Sequence, residues 1–380
     1  MDLKSAIQLV EEALSQSSVT TWDDYDPATI PFVLYDAEAT HYINYPQPPA
    51  ERPNTLHAAT AIDIGGIQTA TIPVERVNTV EDLIPLVYHE GFHVYQAHHF
   101  QGNQRYDFFV AMAHYPEFDA TYRALCTLET QHLNQQQIDD ATLAQLATIA
   151  LERDTLFEGK NPNLLPYERE MANKEGTATF VEQQARQQLY GILPPPLTES
   201  FGWGRFYQAS ASMFWQLAQR NVSFTEAIAS GTALSDLIQQ ITDPASSITG
   251  LDQAITQAEA SIQSELALIN GQIDELLSDC IEFRYDATHN IMRAFNPNTM
   301  RSLGDGRLLH IDFATILFGA GGNIETNNGK ILLDDVVNQR VYIPKISASY
   351  NEANALIGES HSVNFYLSNA TQIDEDIYSL

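Results

Sequence analysis

Apolar positions recur at helical spacing through the middle of the chain and at strand-like density on either side of it. The opening MDLKSAIQLVEEALSQ reads as an amphipathic helix. Residues 28–45, TIPFVLYDAEATHYINYP, are dense in β-branched and aromatic side chains and predict one or two strands. After a Pro-rich loop from Pro46 to Pro53, TAIDI and IQTATI flank Gly65-Gly66 and predict a hairpin within 55–74. From 80 to 290 the pattern is mainly helical, broken at Gly159–Pro162, Gly191–Pro196, Gly231 and Asp243–Gly250. There Ile255, Ile262, Leu266, Ile269, Ile273 and Leu276 form one seam on a long helix, predicted to pack within this chain.

Strand patterns return after Pro297 in RLLHIDFATILF, KILLDD and RVYIPKI, split by Gly319–Gly322 and Asn327–Gly329. The pattern therefore predicts an α+β protein in two parts. A mainly helical body spans 1–296, with a small sheet from 28–74. A small β-rich domain spans 297–380. Asn296-Pro297-Asn298 and Gly304-Asp305-Gly306 predict an exposed junction open to proteolysis.

Composition narrows the function. With 44% hydrophobic and 10% aromatic residues, the chain can bury a sizeable core. The formal charge of -30 repels phosphate backbones and anionic lipid, which argues against nucleic-acid and membrane partners. The two cysteines, Cys126 and Cys280, lie in helix-like apolar contexts without zinc-knuckle spacing and read as free thiols. The opening helix carries Asp2, Glu11 and Glu12 and lacks a leader's apolar run, so the expected location is cytoplasmic.

The candidate chemistry lies in LIPLVYHEGFHVYQA, residues 83–97, which contains His89-Glu90-Gly91-Phe92-His93. On a helix, positions i and i+4 lie about 40° apart, so the two imidazoles project from one face and can share a Zn²⁺. Glu90 is turned about 100° from His89 and can reach water beside that ion. It is the only charged residue in the segment, and a buried unpaired carboxylate is costly unless something compensates it. His99 falls where a third histidine would sit in H-E-x-x-H-x-x-G-x-x-H, but Gln96 replaces the turn-forming glycine. The helix should then continue, leaving His99 about 80° off the His89 face.

The pattern resembles the zincin metallopeptidases. A second run, Glu175-Gly176-Thr177-Ala178-Thr179 followed by Phe180-Val181-Glu182, resembles the second-helix motif of their gluzincin branch, which includes thermolysin-like and aminopeptidase-like enzymes. The resemblance covers about residues 60–185. It implies one zinc per chain, held by His89, His93 and a glutamate from a helix packed against theirs. Glu175 is the favoured ligand, with Gly176 expected to let the two helices approach. Glu182 is either a partner that orients a ligand histidine or the ligand itself. Glu90 is implied as general base, and IQTATI as the edge strand that pairs with a peptide or protein substrate. Tyr207 is the choice for the group that stabilises the oxyanion. Trp203, Phe206, Phe214 and Trp215 read as core. The expected activity is peptide hydrolysis. The alternatives are a zinc hydrolase of other amides or esters, or a peptidase-like binding protein without turnover, which intact Glu90 disfavours.

Overall fold

A computed structural model describes residues 1–380 except 17, 18, 54, 57, 103–105, 136, 199, 200, 287–290, 298, 328, 352, 354, 369 and 375. Asn298, part of the expected junction, therefore lies outside the described residues. The α+β class holds: a four-stranded sheet, a helical middle and a strand-rich C-terminal region.

Helix α1 (Leu3–Gln16) buries Ala6, Val10 and Leu14, one face at four-residue spacing. Strands β1 (Phe32–Tyr35), β2 (Thr40–Ile43), β3 (Thr60–Ile64) and β4 (Ile67–Pro73) form a sheet in the order β2-β1-β4-β3. The β3–β4 hairpin turns at Gly65 and Gly66, both at positive φ, as the sequence predicts. Its second strand is not an edge. β4 pairs in parallel with β1 (Phe32 opposite Ala70) and antiparallel with β3 (Thr60 opposite Thr71). IQTATI is thus central, and the free edges belong to β2 and β3. The pairing that buries it comes from a strand far upstream, which local pattern does not reveal.

The helical body follows: α2 (Val80–His99), α3 (Phe108–Ala113), α4 (Ala120–Leu133), α5 (Asp140–Lys160) and α6 (Leu164–Tyr190). A second group comprises α7 (Trp203–Arg205), a π-helical turn (Phe206–Ser210), α8 (Ala211–Gln219), α9 (Thr225–Ala229), α10 (Leu234–Ile241) and α11 (Leu251–Ser278). Thr79 caps α2 by accepting from Asp82 N at 3.2 Å, and Glu81 and Asp82 in the first turn complement the helix dipole. Helix α6 ends where Gly191 turns left-handed at φ 70. The seam on α11 packs inside this chain: Ala254 meets Leu125 and Leu128 of α4, and Ile269, Ile273 and Leu276 meet the C-terminal strands. Among the described residues no helix is long and apolar enough to cross a membrane.

Strand structure resumes earlier than the sequence suggests. Directly after α11 comes β5 (Cys280–Arg284), then β6 (Met292–Phe295), β7 (Met300–Ser302), β8 (Arg307–His310), β9 (Ala314–Leu317), β10 (Gly322–Thr326), β11 (Leu332–Asp335) and β12 (Arg340–Pro344). They are followed by β13 (Ala348–Tyr350), β14 (Leu356–Glu359), β15 (Val363–Leu367), β16 (Thr371–Asp374) and β17 (Ile377–Ser379). One sheet runs β13-β14-β15-β10-β9-β6 and the other β16-β17-β5-β12-β11-β8-β7. Their inner faces share a core, with Ile281, Phe283, Val341 and Ile343 from one and Ile316, Ile324, Phe365 and Leu367 from the other. Strand structure thus begins directly after α11, ahead of residue 297, and Cys280 lies on a strand rather than a helix. At the expected junction Gly304 and Asp305 are exposed and Gly306 is buried. Met300 and Ser302 are buried, and β7 pairs with β8. Ser302 Oγ donates to Tyr115 O at 2.8 Å, and Gly306 N donates to Ala113 O at 3.2 Å. Turn residues here serve packing against the body.

Candidate metal centre

Helices α2 and α6 pack against each other, and the functional side chains lie at their contact. Gly91 lets α2 settle on the sheet: a Cβ there would lie 2.7 Å from the Tyr25 hydroxyl and 2.8 Å from Phe32 Cζ. His89, Glu90 and Glu175 are each about nineteen-twentieths buried, at 6%, 5% and 6% exposure. His89 Nε2 and His93 Nε2 lie 3.2 Å apart. Glu175 Oε2 lies 3.3 Å from His93 Nε2 and 4.0 Å from His89 Nε2. Donors at about 2.0–2.1 Å from one tetrahedral ion sit about 3.3 Å from each other. The two separations at His93 Nε2 match this, and the 4.0 Å between His89 Nε2 and Glu175 Oε2 is wider.

The ring tautomers follow from their outer partners. Gln96 Nε2 donates to the carbonyl of Lys174 and to Thr177 Oγ1, both at 2.8 Å. The carbonyl can only accept, so the amide orientation is fixed. Gln96 Oε1, 2.7 Å from His93 Nδ1, must then accept from it. His93 Nδ1 carries the proton and Nε2 turns a lone pair inward. On His89, Nδ1 lies 3.1 Å from Glu182 Oε2, which favours a proton on that nitrogen and a lone pair on Nε2. The two Nε2 atoms and the Glu175 carboxylate thus converge at a buried point and could hold a metal ion. Burial opposes charge on His89, yet Glu182, Glu90 and Glu175 outweigh it and push the ring up to about 9, so a metal at Nε2 would have to displace a proton to reach that lone pair. Burial likewise works against the Glu175 carboxylate, but His93 chiefly holds it down at about 2. Glu175 Oε2 and Glu90 Oε2 are buried without a hydrogen bond among the described residues. These orphaned oxygens fit a metal and the water beside it.

The structure therefore brings His89, His93 and Glu175 together, all on α2 and α6, with Glu90 near enough to interact with their charges. Glu182 stands at the other nitrogen of His89, Nδ1, and is not among the three converging residues. The helix runs through Gln96 to His99, which is exposed and stacks on Tyr95 with ring centres 4.1 Å apart. Gly176 acts differently from expectation. Its bare face receives the helix after α6, not α2: a Cβ would lie 2.6 Å from Ser210 Cβ and 3.2 Å from Phe214 Cε2. That close approach brings in Tyr207, whose ring lies 6.1 Å from that of His89 at 28°. The Tyr207 hydroxyl accepts from Trp203 Nε1 at 3.0 Å, and burial, then Glu175, raises its pKa well above the ordinary phenol range. Phe206 and Phe214 are core, as expected.

A buried charge network braces these helices. Arg205, two residues before Tyr207, donates to Glu129 Oε2 at 2.6 Å and to Glu168 Oε1 at 2.5 Å. Arg153 donates to Glu129 Oε1 at 3.0 Å, and Tyr115 donates to Glu168 Oε2 at 2.5 Å. Glu168 stands on α6, two turns before Glu175. Removing one member leaves an uncompensated buried charge, at about 3–5 kcal/mol, so the network holds both helices in one arrangement. Sequence reasoning misses it because its members are distant along the chain. It also misses Gln96 as a positioning residue, although the spacing from His93 places the two side chains on one face.

Gln96→Leu should weaken metal binding about 10–100-fold, as loss of a ligand's outer partner does. Competition against a chromophoric chelator measures this, and unchanged affinity would remove Gln96 from the site. No family model, curated protein or solved structure matches this chain.

Proposed function

We propose that this chain is a zinc-dependent hydrolase of the gluzincin type that cleaves peptide bonds in peptide or protein substrates. The observation that carries the reading is the convergence of two inward-facing histidine lone pairs and the Glu175 carboxylate beside the orphaned oxygen of Glu90. A buried two-nitrogen, one-oxygen donor set suits catalytic zinc, which keeps its fourth position for water. Bound zinc supplies a Lewis acid that polarises a carbonyl and lowers the pKa of water toward ~7. The protein's own groups do the rest. Glu90, raised by burial against the pull of His89 and His93, takes the proton of the attacking water and returns it to the leaving amine. The Tyr207 hydroxyl, steadied by Trp203, donates to the oxygen on which charge develops. Glu182 and Gln96 hold the two imidazoles in the ligand tautomer.

Protein purified without chelator should contain about one zinc per chain. It should hydrolyse casein carrying a self-quenched dye, lose that activity on dialysis against a chelator, and regain it with zinc. Elemental analysis that finds no transition metal sinks the proposal.

A further inference from the structure

Tyr207 is reached from the C-terminal sandwich by two routes. The first is aromatic. Phe295, on β6, packs edge-on against Trp203 with ring centres 6.0 Å apart at 89°. Trp203 in turn donates to the Tyr207 hydroxyl. The second is polar. Ser302 N, on β7, donates to Glu117 Oε1 at 3.2 Å. That carboxylate packs on Gly202, where a Cβ would collide with it. Gly202, at φ 57 and ψ -131, is the residue from which α7 starts, and its N–H donates to Tyr122 Oη at 3.1 Å.

The segment between these anchors and Tyr207 is unusual. Tyr207 lies in the π-helical turn Phe206–Ser210, which rotates the side chains that follow relative to an α-helix. A shift at Gly202 or Trp203 therefore changes where the phenol points. The body alone fixes Arg205 through Glu129 and Glu168. On the Trp203 side, Phe295 comes from the sandwich, with Phe108 and Tyr167 from the body completing the cage.

We propose that the C-terminal sandwich is a positioning element of the metal site, acting through Phe295 on Trp203 and through Ser302 and Glu117 on Gly202 to set the Tyr207 hydroxyl. The role given to Tyr207 rests on the reading of the site as hydrolytic. The coupling itself does not.

The test uses the full chain. Phe295→Ala should lower kcat on dye-quenched casein by about 10–100-fold, the scale expected for a small displacement of a catalytic group. KM should stay within about threefold and zinc content should not change. Phe295→Leu, a milder change, should fall between Phe295→Ala and wild type. In a Tyr207→Phe background, Phe295→Ala should cost nothing further, because both changes remove the same contribution. Additive losses would mean that Phe295 acts on stability alone and would overturn the proposal. A second readout needs no activity. With Trp22→Phe and Trp215→Phe, Trp203 is the sole indole, and its emission should shift in both Phe295→Ala and Glu117→Gln. Emission unchanged in both overturns the coupling. A wild-type protein that binds zinc, hydrolyses nothing, yet shows both shifts would discard the hydrolase reading and keep the coupling.

Discussion

Replacing Glu90 by Gln should leave zinc in place and cut hydrolysis by about 10²–10⁴-fold, the range contributed by a positioned general base. The substitution preserves shape in a packed site where Glu90 is 5% exposed. It removes a buried carboxylate oxygen that has no hydrogen bond among the described residues and is not among the converging donors. Burial raises the Glu90 pKa, so its carboxylate is a stronger base than a solvated one, though His89 and His93 keep the rise in check. A glutamine offers the same oxygen for a hydrogen bond but cannot carry a proton from water to a leaving amine. Zinc content and kcat/KM should be measured on the same preparation. Full turnover with metal retained would show that Glu90 is not the base.

Loss of Glu175 should be the most damaging single change to metal binding outside the histidines. Glu175→Ala should weaken zinc at least as much as His89→Ala, because it deletes one of three donors and leaves two facing lone pairs without their counter-charge. Glu182→Ala should cost about 10–100-fold, since it frees the His89 ring without removing a donor. His99→Ala should be nearly silent, because that side chain stacks on Tyr95 at the solvent end of α2. Competition against a chelator of known affinity orders the three. If His99→Ala proves the most harmful, the donor set is wrong. If Glu182→Ala exceeds Glu175→Ala, the two glutamates exchange roles.

The parts legible in the sequence share one property: their information is local. Helix α2 is readable because a segment otherwise free of charge places one glutamate between two histidines, and a metal would compensate that glutamate's burial. Glu175 is singled out by the resemblance of its run to a known second-helix motif, and the structure places it beside both histidines; Tyr207, chosen from the next aromatic run, lies with its ring 6.1 Å from that of His89. The features that escape the sequence depend on distant partners. Gly176 announces a close approach but not which helix approaches, and α6 has α2 on one side and α8 on another. IQTATI loses its edge position to β1, whose residues Phe32–Tyr35 give no sign of their parallel register. The start of the sandwich is hidden because Cys280–Arg284 follows α11 with a single residue between them and no Gly or Pro to mark the change. The Arg153–Glu129–Arg205–Glu168 network is invisible for the same reason: no spacing rule connects residues on different helices.

One pairing in the sandwich governs the order in which the molecule can be made. β5 is flanked by β12 on one side and, in parallel, by β17 on the other, with Tyr378 opposite Phe283. A ribosome delivers α2 and α6 early and β17 only after every other strand, at about 5–20 residues per second. During that interval the donors His89, His93 and Glu175 are already synthesised, while the sandwich that steadies Trp203 is still open along one side of β5. Closing it requires contacts of long sequence separation, which form slowly. A nascent chain would thus hold His89, His93 and Glu175 before the strands that pack on Trp203 are complete, so under the proposed hydrolytic reading activity would trail synthesis instead of accompanying it.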